Sequence, residues 1–278
     1  MNTKWSSVGV LALLACHVEA AEPVGEQHTW QQSYPMTSSS ARLLVRNIWG
    51  NVTVRAGATR DIVVTAYERR SAPTQALLEE SKEQVRLDVR ADSGSVALVV
   101  GDPQRLAGRS DLCRGCRLDI QFEIAVPPGT QVDVGTVTDG RVDVTGVGGL
   151  INAHNVNGPV AVSNVNECTN IESVNGALDV TFARAPAEDC TIETINGTIT
   201  VGLPANAGLD AVLSVTHGSV ESEFEVQPIA VPTLRETQSS AARFSHRIEQ
   251  FAGVRLGGGG PTFTFASLNG DVRILKNK

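Results

Sequence analysis

The sequence has little positive charge and no long apolar run, and each shortage excludes a class of protein. Lys and Arg number 23 against 30 Asp and Glu, which leaves a formal net charge of −7. That balance argues against a nucleic-acid-binding protein, because such proteins hold phosphates with Lys and Arg. No stretch approaches the roughly 20 consecutive apolar residues that a membrane-spanning helix needs.

Aromatic residues are also scarce, at 4% of the 278 residues, and methionine occurs only twice. Valine is abundant instead, with 35 residues, and glycine has 26. Because valine favours the pleated, half-buried surface of a sheet, the composition predicts an all-β protein. The length allows one large domain or two small ones, with a substantial core.

Residues 1–20 have the pattern of an export signal. Lys4 supplies a positive start, residues 8–15 form an apolar run, and small residues fit a cleavage site before Ala21. A second interpretation stays open, since a Leu-Leu-Ala-Cys lipobox ends at Cys16, which would then carry a lipid anchor. Both interpretations predict export to the periplasm or cell surface, the second as an outer-membrane lipoprotein.

One short unit recurs regularly over residues 135–222: an aliphatic residue, a polar residue, glycine, then alternating apolar positions. The repeat glycines are Gly140, Gly158, Gly176, Gly197 and Gly218, with a further unit around Gly270. The apolar residues two positions after the five regular glycines are Val142, Val160, Leu178, Ile199 and Val220.

Two architectures fit this repeat: a β-solenoid with one repeat per coil, and a meander of hairpins with Asn-Gly turns. Pro159 argues against hairpins, because it follows Asn157-Gly158 where a two-residue hairpin needs a backbone N–H. Hairpin register would also set Glu172 opposite Asp179, a repulsive pair. The repeats therefore favour a parallel β-solenoid of short strands, in which each Asn-Gly is a corner and glycine supplies a positive φ. The five apolar residues are then expected to form one buried column.

The segments that flank the repeats are less regular. Residues 21–40 lack periodicity, which predicts a linker or a covering arm. Several strands and one short helix, near 73–84, are predicted before the repeats. An irregular insertion at 223–256 and closing strands at 257–278 follow the repeats. We expect a single solenoid domain over 41–278.

Four cysteines follow the signal, and an even number in an oxidising compartment indicates disulfides. Aligning the repeats on their glycines places Cys168 and Cys190 on neighbouring coils, about 4.8 Å apart, within the Cα separation that a disulfide requires. Cys113 and Cys116 form a CRGC motif that runs into a predicted strand at 118–126, which favours a structural bridge or an idle thiol pair over a zinc or redox site.

The repeats are strongly acidic, with ten acidic residues against two arginines over 135–222. Asp143 and Asp179 occupy equivalent places two repeats apart, about 9.5 Å at the usual strand spacing, which lies within the range for glycosidase carboxyl pairs. Both are expected to face solvent, where no burial raises a pKa. A solvated face that discourages edge-to-edge pairing is therefore favoured over cation binding or catalysis.

No motif for a cofactor or a metal stands out. Asn157, Asn175 and Asn196 precede corner glycines and are expected to bond within their own turns. Residues 257–260 are four glycines without the Lys-Ser/Thr of a phosphate loop. No metal-ligand spacing links the histidines after the signal, which are His28, His154, His217 and His246. The sequence predicts no cofactor and no enzyme.

Several of these segments together resemble one bacterial family. A strand ending in VPPG (126–129), G-x-V-x-V units with Asn-Gly corners, a Gly-rich segment and a closing LNGDVRI strand (268–274) are similar to the "putative adhesin" β-strand-repeat domains, which are akin to head domains of autotransporter adhesins. The resemblance covers about 41–278 and implies a right-handed β-solenoid in the cell envelope without known catalytic residues. The CRGC motif and the Cys168/Cys190 pair depart from the family pattern.

These observations favour an exported, non-catalytic envelope protein that serves as an adhesin or as another binding or structural module, with a glycan or a protein as its surface ligand. Two alternatives stay open. One is a β-helix enzyme that acts on an envelope polysaccharide through Asp143 and Asp179. The other is a periplasmic thiol–disulfide protein that uses Cys113 and Cys116.

Overall fold

The computed structural model describes residues 23–38, 40–101, 115–230 and 252–277, which form two large β-sheets and one short helix. The sheets face each other across a shared aliphatic core. In chain order the elements are β1 (Val24–Pro35), β2 (Arg42–Arg46), β3 (Val52–Ala56), β4 (Asp61–Ala72), α1 (Gln75–Gln84), β5 (Leu87–Ala91), β6 (Ser95–Val100), β7 (Arg117–Val126), β8 (Gln131–Thr136), β9 (Val142–Thr145), β10 (Ile151–Asn157), β11 (Val160–Val165), β12 (Asn170–Asn175), β13 (Leu178–Phe182), β14 (Cys190–Asn196), β15 (Ile199–Leu203), β16 (Leu209–His217), β17 (Val220–Ser222), β18 (Val226–Ile229), β19 (Ala252–Leu256), β20 (Thr262–Asn269) and β21 (Val272–Lys276).

From β8 to β15 the chain alternates between the two sheets, and each strand from β8 to β13 pairs in parallel with the strand two places further along. Each repeat thus contributes one short strand to each sheet, on either side of its glycine corner. The ten-stranded sheet has the order β1-β4-β7-β3-β9-β11-β13-β15-β21-β17, and the eleven-stranded sheet has the order β18-β19-β16-β20-β14-β12-β10-β8-β2-β6-β5.

The predicted fold class is correct in being all-β with one short helix, but the right-handed parallel β-solenoid over 41–278 is wrong. The protein is a sandwich of two mixed sheets, because antiparallel strands lie at one end of the ten-stranded sheet and at both ends of the eleven-stranded sheet. In the ten-stranded sheet β4 pairs antiparallel with both β1 and β7. In the eleven-stranded sheet β5 pairs antiparallel with β6, and β19 with β16 and β18. The parallel pairing of the repeats does not extend to these strands, since they lie outside the repeat.

Within residues 21–40, predicted to be a linker or a covering arm, Val24–Pro35 form the edge strand β1. This 12-residue strand pairs along its whole length with β4, from Val24 opposite Ala72 to Pro35 opposite Asp61. Its sequence lacks the strict alternation of a half-buried strand because most of its side chains are exposed. The partly buried Trp30 and Tyr34 pack against the core.

The core contains the apolar column that the repeats predict, with one correction. Val142, Val160, Leu178 and Ile199 are paired in register from strand to strand, and all four are fully buried. The next member is Val272 of β21, because β21 lies between β15 and β17. Val220 pairs with Val272 rather than with Ile199, and it is 41% exposed.

The repeat glycines stack at the corners between the sheets, and close backbone contact explains why glycine is needed there. A Cβ added to Gly176 would lie 2.0 Å from the carbonyl oxygen of Gly158, and one added to Gly197 would lie 2.0 Å from that of Gly176. The predicted positive φ is not the reason, because neither residue has one. The stack has the order Gly50, Gly140, Gly158, Gly176, Gly197, Gly270 and Gly218.

Buried polar side chains secure this stack from the core side. Thr194 Oγ1 donates a hydrogen bond to the carbonyl oxygen of Gly176 at 3.1 Å, and Ser173 Oγ donates to that of Gly158 at 3.0 Å. Such bonds satisfy polar groups that burial would otherwise leave without partners. The same contact recurs from Thr136 to Gly50, from Asn155 to Gly140 and from Ser267 to Gly197.

The helix and one disulfide occupy the predicted places. The helix α1 begins after Thr74, whose hydroxyl accepts a hydrogen bond from the Leu77 N–H at 3.3 Å, as expected for an N-cap residue. Cys168 and Cys190 are joined by a disulfide, with their Cα atoms 5.5 Å apart. Cys116 is also disulfide-bonded, while Cys113 and Cys16 lie outside the described residues.

Candidate functional site

A shallow groove of about 480 Å³ crosses the outer face of the eleven-stranded sheet. It runs over β10, β12, β14, β20 and β16, which pair in parallel in that order. Alternate residues of a strand point to the same face, so the shared register sets the outward side chains in rows across the strands. Two such rows line the groove, and a third row, of asparagines, lies beside them at the corner between the sheets.

The central row is aliphatic. It follows Val156, Val174, Ile195 and Leu268 across four strands and ends at Thr216. Ile195 and Leu268 are each 44% exposed, which is a large solvent-facing area for side chains of this kind. Contiguous exposed apolar surface with polar borders is typical of binding sites.

The second row is polar and contains two neighbouring carboxylates. It follows His154, Glu172, Glu193, Ala266 and Ser214. Glu172 and Glu193 are in register on adjacent strands, which lie about 4.8 Å apart. Partial burial raises the pKa of Glu193, and the nearby charge of Glu172 raises it further. The fold therefore places the carboxylates of Glu172 and Glu193 side by side, although their like charges repel each other.

At one end of this row the imidazole of His154 lies over Gly135. A Cβ on that glycine would be 2.0 Å from His154 Nε2, so the ring needs the space that glycine leaves. An ion pair of Arg46 and Asp133, 2.7 Å long, stands beside it. Burial lowers the pKa of His154, as does the charge of Arg46, while Asp133 and Glu172 act in the opposite direction. The neutral imidazole is therefore favoured at neutral pH.

The third row is a ladder of asparagines along the corner. Asn175 Nδ2 donates to Asn157 Oδ1 at 2.8 Å, Asn196 Nδ2 to Asn175 Oδ1 at 2.7 Å, and Asn269 Nδ2 to Asn196 Oδ1 at 2.7 Å. Asn157, Asn175 and Asn196 were expected to bond within their own turns, but their side-chain amides bond from strand to strand instead. The ladder lies at the corner next to the aliphatic row, outside the residues that line the groove.

The other acidic residues singled out from the sequence do not join this site. Asp143 and Asp179 lie in the ten-stranded sheet, with Ala161 in register between them. Asp143 forms an ion pair with Arg141 at 2.8 Å. His217 lies at the end of the asparagine ladder, in register with Asn269. Within the part of the chain that the structure describes, no group of three or more His, Cys, Asp or Glu is arranged to hold a metal ion.

The carboxylate pair and the aliphatic row were missed in the sequence, although a signal for them exists. Residues 171–176 read IESVNG and residues 192–197 read IETING, so both repeats have glutamate at the same place and an aliphatic residue two positions later. The repeat around Gly158 has His154 at the place of the glutamate. Asn269 was missed as a ladder member because its strand is distant in the chain from the repeat beside which it lies.

We expect Glu193→Gln to stabilise the protein at pH 7 and to lose that advantage on acidification. The folded-state pKa of Glu193 is raised, so the fold favours the protonated carboxyl. The resulting penalty is absent below the ordinary glutamate pKa of about 4.3 and is complete once the pH exceeds the raised folded-state value. Melting temperatures of the wild type and the variant at pH 4 and pH 7 measure the difference.

A control variant separates local repulsion from net charge. Asp179→Asn also removes one negative charge, but on the exposed face of the opposite sheet, and it should change the melting temperature less at pH 7. Glu172→Gln should recover part of the effect, because it removes the charge next to Glu193. If all three variants melt alike at pH 7, the carboxylates of the groove do not repel each other in solution.

No protein-family model and no curated protein matches the sequence. Among solved structures, a "putative cell adhesion protein" from Clostridium sporogenes is 12% identical, with a TM-score of 0.45 over 92% of this chain and 100% of its own. A "putative adhesin" from Bacteroides fragilis is 11% identical, with a TM-score of 0.37 over 90% and 97%. A "putative lipid binding protein" from Parabacteroides distasonis is 9% identical, with a TM-score of 0.23 over 91% and 97%.

The names of two of these proteins agree with the family resemblance noted in the sequence. The similarity is too distant to carry function from them to this chain. The β-solenoid that the resemblance implies is contradicted by the mixed sheets of this chain, and kinship with autotransporter head domains is not confirmed.

Proposed function

We propose that the protein is an exported, non-catalytic module of the cell envelope that binds a glycan or a protein through the groove of the eleven-stranded sheet. The observation that carries this proposal is the aliphatic row, which stays open to solvent at Ile195 and Leu268 beside two carboxylates. The row is held on strands whose backbones are hydrogen-bonded on both sides, so the surface is formed before a ligand arrives, which lowers the entropic cost of binding.

Export is supported by the signal pattern of residues 1–20 and by the Cys168–Cys190 disulfide. Disulfides persist in oxidising compartments such as the periplasm and the cell surface, and they are rare in the cytosol. Among the described residues no helix is both long and apolar enough to cross a membrane. The choice between a cleaved protein and a lipoprotein anchored at Cys16 is decided by the intact mass of the native protein.

A polysaccharide-cleaving enzyme is the less favoured alternative. Asp143 and Asp179 belong to a different sheet from the groove, and Asp143 already has Arg141 as a partner. Glu172 and Glu193 project from adjacent strands on the same flat face, whereas glycosidase carboxyls flank the bond that they cleave. The thiol–disulfide alternative requires a thiol at Cys113 or Cys116 that reacts rapidly once reduced. Cys116 is disulfide-bonded in this structure, which is also the oxidised state of such a protein, so the rate at which the reduced protein reacts with a thiol reagent tests this alternative.

The proposal is tested by incubating the mature protein with cell-wall, glycan and envelope-protein fractions and measuring its retention. We expect the double variant Ile195→Ser/Leu268→Ser to reduce retention about tenfold, equivalent to ~1.4 kcal/mol, because it removes the exposed apolar surface of the groove. Val89→Ser is the matched control. Val89 is also an exposed aliphatic residue, but it lies on β5 at the far edge of the same sheet.

Equal retention of the groove variant and the wild type would contradict the proposal. Release of reducing ends from a glycan fraction, abolished by Asp143→Ala or Asp179→Ala, would replace it with the enzyme alternative.

A further inference from the structure

We propose that the groove binds an extended segment of a partner protein that is rich in lysine or arginine. This inference rests on the proposed function and adds the chemistry of the ligand. It combines two observations. The groove has carboxylates without a cationic partner, and an aliphatic row lies about the length of a lysine side chain away from these carboxylates.

The first observation is a contrast between acidic residues. Glu172 accepts a hydrogen bond from Asn170 Nδ2, but within the described residues neither Glu172 nor Glu193 has an ion-pair partner. Many other acidic residues of the two sheets do have an arginine partner. Such pairs are Asp133 with Arg46 at 2.7 Å, Asp143 with Arg141 at 2.8 Å, Asp210 with Arg255 at 2.7 Å and Asp119 with Arg117 at 3.0 Å.

A cation supplied by a ligand would therefore be the ion-pair partner that Glu172 and Glu193 lack among the described residues. It would lie against both carboxylates, because Glu172 and Glu193 are in register on adjacent strands. It would also relieve the repulsion between them, which contributes to the raised pKa of Glu193. The arginine–aspartate pairs elsewhere in the two sheets have N–O distances between 2.7 and 3.0 Å, and a ligand cation at these glutamates would make contacts of the same kind.

The second observation is the distance between rows. Residues two apart in a strand lie about 7 Å from each other, so Val174 and Ile195 are one such step from Glu172 and Glu193. A lysine or arginine side chain covers apolar surface with its methylene stem while its charged end reaches a polar site. One such side chain, lying across the row at Val174 and Ile195, would place its cation at both carboxylates.

This geometry favours a peptide over a basic glycan. The amine of an amino sugar sits directly on a polar ring and has no aliphatic stem to cover the row. The wider charge of the protein also favours a basic partner, since the chain carries −7 and the repeats hold ten acidic residues against two arginines. Such a field attracts a basic ligand over long range and accelerates its association.

The test measures binding of three fluorescently labelled peptides to the folded mature protein: Lys-Leu-Lys-Leu-Lys, the same peptide with each lysine replaced by 2,4-diaminobutyric acid, which keeps the charge and shortens the methylene stem, and Glu-Leu-Glu-Leu-Glu. We expect the first to bind most tightly, the second to bind several-fold more weakly, and the third not to bind. Glu172→Gln/Glu193→Gln should weaken the first interaction about tenfold. The matched control, Asp179→Asn/Glu188→Gln, removes two charges elsewhere and should leave the dissociation constant within about twofold.

Several results would overturn the inference. Equal weakening by both double variants would show attraction to net charge only. Equal binding of the lysine peptide and its short-stem counterpart would remove the role of the aliphatic row. Tighter binding of a chitosan oligosaccharide than of any peptide, lost in Glu172→Gln/Glu193→Gln, would assign the groove to a glycan and leave the proposed function intact. Retention of envelope fractions that does not depend on the groove would contradict the proposed function itself. Circular dichroism of every variant confirms that it is folded.

Discussion

Gly176→Ala should destabilise the protein by about 3 kcal/mol or more, at the upper end of what overpacking costs. The added Cβ would lie 2.0 Å from the carbonyl oxygen of Gly158, 2.5 Å from its carbonyl carbon and 2.8 Å from Ser173 Oγ. Two of these atoms belong to the backbone of the neighbouring corner, so a side-chain rotation cannot relieve the clash. The two corners would have to separate, which also strains the hydrogen bond from Ser173 to Gly158.

Urea denaturation of the oxidised protein measures this effect, and Gly258→Ala provides the control. A Cβ at Gly258 meets nothing within 4 Å, so the same chemical change there should alter the free energy of unfolding by less than about 0.5 kcal/mol. If the two alanine variants unfold at the same urea concentration, close contact of the corners is not the reason for glycine at the repeat.

Leu178→Ala is expected to cost about 2–5 kcal/mol, the usual range for truncating a fully buried leucine. Leu178 is 0% exposed and stands in register between Val160 and Ile199, in the middle of the apolar column. The truncation leaves a cavity that neighbours held in a hydrogen-bonded ladder can fill only in part. Thermal and urea denaturation give the loss of stability.

Leu268→Ala is the control for this variant, because it makes the same truncation at an exposed place. It should cost less than about 1 kcal/mol in stability and yet weaken binding at the groove, while Leu178→Ala should weaken stability alone. A small cost for Leu178→Ala would mean that the column is less tightly packed than the structure shows.

The regular part of the fold was predictable from the sequence because its signals are local. Alternation after the glycines identified the buried residues in every regular repeat except that of Gly218, and the glycine alignment placed Cys168 beside Cys190, whose Cα atoms are 5.5 Å apart. Pro159 correctly excluded hairpins at the repeat, since β10 and β12 pair in parallel, as do β11 and β13. Each of these inferences depends on residues within one or two repeats of each other.

The flanks were not predictable in the same way, because strand direction and order depend on partners that are distant in the sequence. Alternation in residues 118–126 shows a strand, but nothing in it indicates that β4 lies antiparallel beside it. The exposed strand β1 lacks even the alternation. Of the candidate site, the repeated IESVNG and IETING segments contain the carboxylates and aliphatic residues, but only the structure adds Leu268 and Asn269 from a strand some 70 residues away.

The position of β20 and β21 has a consequence for how the protein is made. Both strands are synthesised after β16 and β17, yet in the finished molecule they lie between these strands and β14 and β15. A growing chain can therefore pair its repeats in order of synthesis only as far as β15, and must then hold an open edge until the inserted pair emerges and docks. Long-range closure of this kind is slow, and open strand edges invite pairing with other chains. The interval before docking is thus when the chain is most exposed to pairing with other chains.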